Sequence, residues 1–126
     1  MAMHYLVIAL GGALGAVSRA FLSGYFTKLL GTSFPFATLA INFIGSFLMG
    51  VCAVIILDYL KMTGYWRELI MVGFLGALTT FSTFSLEGLN LLHAGQWLAA
   101  AIYFLVSVIG CVFACFIGWY MAKLFV

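Results

Sequence analysis

Residues Gly73–Glu87 read GFLGALTTFSTFSLE, inside an apolar run that extends from about Trp66 to His93. The run is long and apolar enough for a membrane-spanning helix. Yet five of the seven residues Thr79–Ser85 carry hydroxyls (Thr79, Thr80, Ser82, Thr83 and Ser85), and the other two are Phe81 and Phe84. Hydroxyls inside a span bond back to carbonyls and bend the helix, and glycines such as Gly73 and Gly76 weaken it further. The stretch predicts a span that breaks near Gly76–Thr80, midway along its length; the alternative is a continuous helix with self-satisfied hydroxyls. Unwound backbone at that depth is tolerated only where protein buries it or water reaches it, and carbonyls freed there can coordinate a cation. Beyond the break, at about 100° per residue, Phe81, Phe84, Ser85 and Gly88 share one face. Thr80, Thr83, Glu87 and Asn90 share another, and a polar face in hydrocarbon must meet water or partners.

The rest of the chain fits the same medium. Of 126 residues, 67% are hydrophobic and 6% charged, against roughly 45–50% and about 25% in soluble domains. A fold this small cannot hide so much apolar surface, which excludes a water-soluble domain. A net charge of +2 leaves no basic patch for nucleic acid. The runs are continuously apolar rather than alternating, so helices and not β-strands cross the bilayer. Four fit, at about Met3–Leu30, Phe36–Leu60, Trp66–His93 and Trp97–Phe125, and residues 1–126 form a single four-helix domain of an all-α membrane protein. Pro35 stands just before the second span, where a missing N–H is harmless. Trp66 and Trp97 fall at the membrane interfaces.

Four spans place both termini on one side, together with Lys61, Arg67 and Lys123; Lys28, with Arg19, belongs toward the other. That is a weak orientation bias, compatible with one fixed orientation or with insertion both ways round. A chain without an internal repeat could then gain symmetry by pairing with an inverted copy. An i, i+4, i+8 spacing rich in small residues recurs at Gly11, Gly15 and Arg19, at Asn42, Ser46 and Gly50, and at Gly110, Ala114 and Gly118. Such faces let helices approach closely in lipid. Part of that supply serves contacts between helices of one chain, but its amount points beyond one chain, to a homo-oligomer and first of all a homodimer. Cys52, Cys111 and Cys115 all lie in spans and form no disulfide framework. Cys111 and Cys115 share a helix face, but lacking a third ligand they read as packing residues.

Asn42 is the single amide deep in the second span, and reads either as an interhelical hydrogen-bond partner or as a donor facing an anion. Tyr103 and Ser107, four apart on the last span, could extend a donor track. Arg19 at a mouth would attract anions, or anchor the helix at the interface. Aromatic rings have positive edges, so Phe81 and Phe84 could touch a passing anion without holding it too tightly; otherwise they pack or face lipid. Glu87 fits the donor set least well, as a solvated interfacial carboxylate or a pore-lining one. Glu68 and Asp58 are expected to be solvated near span ends. On balance the donors favour an anion pore. The main alternative is a small dual-topology multidrug/proton exporter using Glu87, followed by a non-transporting scaffold. An enzyme is least expected, since His4 and His93 sit at span ends and no nucleophile–base pair is evident.

Along its whole length the chain resembles the Fluc/CrcB family of fluoride channels. The residues that carry the resemblance are GGALGAVSR (Gly11–Arg19), TLAINFIGSFLMG (Thr38–Gly50) and GFLGALTTFSTFSLE (Gly73–Glu87). Ala20 and Ala37 depart from the usual pattern, outside the third-span motif. The resemblance implies passive fluoride export by an antiparallel (dual-topology) homodimer with two pores near the subunit interface. It implies a structural sodium ion (Na+) held by the backbone carbonyls of Gly76 and Thr79 of both chains. It also implies pore residues Asn42, Phe81 and Phe84, a polar track of Ser82, Thr83, Glu87, Tyr103 and Ser107, and Arg19 at the vestibule.

Overall fold

A computed structural model describes all of residues 1–126. Four helical segments are long and apolar enough to cross a membrane: Ala2–Leu30, Phe36–Tyr59, Tyr65–His93 and Trp97–Phe125. Every boundary lies within one residue of the sequence expectation. The apolar runs fix the lengths, and glycines with positive φ at Gly31 (84°), Gly64 (70°) and Gly95 (73°) turn the chain between them. Below, α1 is Ala2–Leu30, α2 is Phe36–Tyr59, α3 covers residues 65–78, α4 is Phe81–His93 and α5 is Trp97–Phe125.

The third span is not one uniform helix. Thr79 (φ −80°, ψ 157°) and Thr80 (φ −149°, ψ 121°) are extended. The helix resumes at Phe81, where the Thr83 amide donates to Thr80 Oγ1 as an N-cap. Gly76 remains helical at φ −62°, ψ −34°. The threonines interrupt the helix because their oxygens and a side chain from α2 offer the backbone other partners. Two stretches are wound wide as π-helix, Ala53–Tyr59 at the end of α2 and Glu68–Leu75 in α3. There the Leu60 amide reaches the Ile55 carbonyl and the Gly76 amide the Met71 carbonyl, five residues back.

The main packing partners are α1 with α3 and α2 with α5. Both seams are made by small residues. A Cβ on Gly15 would strike the Phe74 carbonyl; one on Gly50 would strike the Cys115 carbonyl, and one on Gly118 the Phe47 carbonyl. Gly110 in turn faces the Phe43 ring. The close-approach positions are thus occupied within one chain, and the surplus of small residues that pointed beyond it is smaller than the spacing implied.

Two buried clusters flank the interruption: Phe84, Leu91, Ala100 and Tyr103 on one side, and Ile41, Leu75 and Leu78 on the other. Where α1 and α3 begin, His4 Nδ1 lies 2.7 Å from Oε1 of Glu68 and 2.7 Å from its Oε2. Glu68 is therefore paired rather than freely solvated. A His sixty-four positions away could not be assigned to it from sequence.

Candidate functional site

The interruption sets the site. In a continuous helix the Thr80 amide would donate to the Gly76 carbonyl. Here it donates to Asn42 Oδ1 at 2.8 Å, while Asn42 Nδ2 donates to the Thr80 carbonyl at 3.0 Å. A carboxamide presents a donor and an acceptor side by side, so one side chain on α2 satisfies both backbone groups of an extended residue. The interhelical reading of Asn42 therefore holds for half of its capacity. An NH₂ group has two hydrogens, and the second is left for the space that Asn42 lines. The Thr83 amide, which a continuous helix would direct to the Thr79 carbonyl, goes to Thr80 Oγ1 at 3.2 Å. Thr79 hydrogen-bonds through its amide and hydroxyl, both to the Leu75 carbonyl at 3.2 and 3.0 Å, and its own carbonyl has no partner.

Asn42, Phe81, Phe84 and Ser107 line one open groove of about 260 Å³. The two rings lie 5.1 Å apart between centroids, tilted by 55°. Phe84 is 6% exposed and Phe81 is 73% exposed, so one ring belongs to the core and the other stands at the open side. Phe84 is held edge-on by Phe104. Ser107 Oγ is buried with no hydrogen-bond partner. A buried hydroxyl left so costs about 1–3 kcal/mol, unless a polar occupant of the groove meets it.

A second cavity of about 300 Å³ is lined by Arg19, Ser23, Thr38, Thr80 and Thr83. Arg19 Nε is buried there without a partner. Thr80 borders both spaces. A guanidinium with an unused N–H among hydroxyls is a donor-rich environment suited to an anion.

Glu87 is held rather than free. Thr38 Oγ1 donates to its Oε1 at 2.8 Å and Tyr103 Oη to its Oε2 at 2.7 Å. The carboxylate borders a third space of about 330 Å³ with Asn90 and Gln96. Both oxygens being engaged weakens the exporter reading, which needs a carboxylate open to a cationic drug. The five residues expected as one polar track are distributed. Ser107 lies in the groove, Thr83 in the Arg19 cavity, and Glu87, half-buried, is linked to the buried Tyr103. Ser82 is exposed, with Oγ 3.3 Å from Thr80 Oγ1.

Two contributors, Thr38 and Ser46, escaped the sequence reading as site residues, and Thr80 was read there only as part of the break and of a polar face. Thr38, Asn42 and Ser46 recur one turn apart on α2 and all line these cavities. Ser46 stood in the Asn42–Ser46–Gly50 stripe, but there it read as a close-packing position, a role that Gly50 fills.

Comparison with known proteins gives concordant matches. The family model described as CrcB-like protein, Camphor Resistance (CrcB) matches residues 6–119. The chain is 49% identical over 121 residues to the Fluoride-specific ion channel FluC of Hahella chejuensis, covering 96% of this chain and 95% of that one. It is 45% identical over 122 residues to the protein of the same name from Magnetococcus marinus, covering 97% and 99%. With that of Shewanella oneidensis it shares 46% identity over 116 residues, covering 91% and 92%.

Proposed function

Because this chain belongs to the CrcB family, we propose that it is a fluoride-selective ion channel of the cell membrane that lets fluoride leave passively. It is a multi-pass membrane protein and acts as a channel, not as an enzyme. The observation that carries the reading beyond likeness is the groove in which Asn42, Phe81, Phe84 and the unpartnered Ser107 hydroxyl converge. Fluoride is small and strongly hydrated, so a pore must replace its water with good donors. Selectivity then comes from donor number and field as much as from width. The free Asn42 N–H and the Ser107 hydroxyl supply two donors, and positive ring edges supply weaker contacts that release the ion. Arg19 draws anions toward the hydroxyl-lined cavity.

In this proposal two chains pair in opposite orientations, and two pores run near their interface. Support comes from the nearly balanced basic residues at the two ends, and from the open side of the groove, where Phe81 is 73% exposed. The same pairing brings the backbone at two interruptions together. The Gly76 carbonyl has lost the Thr80 amide and the Thr79 carbonyl has no partner, so these oxygens fit a hard monovalent cation such as sodium. Bound there, the ion would offset carbonyl charge and tie the chains together.

Fluoride efflux from liposomes containing pure protein tests the function, with chloride as the ion expected to stay inside. Efflux of fluoride alone supports the proposal; vesicles that retain both ions refute it. Replacing Phe81 or Phe84 by Ile keeps the bulk and removes the ring edge. A steep loss of fluoride flux is expected, and unchanged flux would exclude the ring-edge role.

A further inference from the structure

We propose that Cys111, Cys115 and Met49 form a site for a soft monovalent cation, of the class of Ag⁺ or Cu⁺, beside the groove. The two thiols lie one turn apart on α5, and their helix supplies no third ligand. The fold supplies it from α2: Met49, Cys111 and Cys115 line one cavity of about 240 Å³. The seam fixes this arrangement, because Gly50, the next residue after Met49, abuts the Cys115 carbonyl. All three side chains are half-buried and the cysteines are free. Two thiols and a thioether are soft donors that select Cu(I)-like ions over hard ones. A structural zinc site wants four ligands, and no cluster of three His, Cys, Asp or Glu exists in the chain.

Charge bookkeeping in hydrocarbon favours a monovalent ion. Uptake displaces the Cys111 thiol proton to solvent as the metal–sulfur bond forms, so one positive charge replaces another and no electron moves. Cys115 and Met49 bind as neutral donors. Cys111 also lines the groove of Asn42, Phe81 and Phe84, so an occupied site obstructs that groove; this consequence rests on the channel reading.

The experiment uses the full chain carrying Cys52→Ser, which removes the one thiol outside the cavity. Titration with silver nitrate in chloride-free detergent is expected to show one tight equivalent per chain and one released proton. Met49→Leu and Cys115→Ala are each expected to lose that tight step. Two independent equivalents, or binding indifferent to Met49→Leu, overturns the site. In liposomes, silver is expected to stop fluoride efflux through the Cys52→Ser protein and to spare Cys115→Ala. Efflux that silver leaves untouched, with the tight equivalent bound, overturns the obstruction. Vesicles silent before silver is added refute the channel reading, and the titration then decides the site.

Discussion

Asn42 does the work of a neighbouring strand for Thr80, accepting one hydrogen bond and donating another. Removing it leaves an amide and a carbonyl without partners inside the membrane. Asn42→Ala is expected to lower stability by about 1–3 kcal/mol, read as a lower melting temperature in detergent, and to abolish fluoride efflux. An ionised Asn42→Asp side chain offers no donor to the Thr80 carbonyl and repels anions, so it is expected not to rescue efflux. Tyr103→Phe is a milder change, because Thr38 still donates to Glu87. Interhelical bonds in membranes average roughly 0.6 kcal/mol, so a loss of that order is expected from equilibrium unfolding. A loss several times larger would mean that the Glu87 link organises more than its two donors. At this scale the sequence was half legible. A lone amide in a span had to have partners, but Thr80 lies 38 positions away, and only the packing of α2 against the interrupted span brings the two together. The same distance problem hid the Thr38 hydroxyl from Glu87.

Among the elements, the interrupted third span was the most legible, since a dense run of hydroxyls after glycine has few comfortable helical solutions. Its position was less so. Gly76 is helical and the extended residues are the threonines, because side-chain oxygens, not backbone freedom, take over the hydrogen bonds. Thr80→Ala removes the cap of α4 and is expected to destabilise the protein by about 0.5–2 kcal/mol, while Thr80→Ser, which keeps the oxygen, stays near the parent in the same melting assay. The seams make a second test. Gly50→Val places a side chain against the Cys115 carbonyl and is expected to prevent α2 and α5 from meeting, giving aggregated protein on gel filtration. Gly12→Val, at a position with open space around it, is expected to leave the elution profile unchanged. Spacing alone could not separate these glycines, as it shows which residues share a face but not which face meets a neighbour.

For the whole molecule, the four spans followed from composition and turn residues, because bilayer thickness imposes their length. How chains associate does not follow in the same way. Several of the small residues that seemed to invite a partner are taken up by the chain itself. The proposed inverted pairing predicts that a C-terminal tag in sealed cells and in inverted vesicles is labelled from either side in comparable amounts; labelling from one side only would count against it. Exchanging sodium for a large organic cation throughout is expected to loosen the dimer, read by crosslinking yield. A yield indifferent to that exchange would remove the ion from the proposal.

The wide winding of Glu68–Leu75 has a consequence for insertions and deletions. A turn closed five residues back holds one residue more than an ordinary turn closed four back. Taking one out lets the backbone relax to regular α geometry with both flanks keeping their angular phase. In α5, an unbroken α-helix over Trp97–Phe125, the same excision swings everything after it by about 100°. Excising Val72 is therefore expected to yield an assembled protein, and excising Ile109 a collapsed one: the segment leading to the threonines carries built-in slack that the last helix lacks.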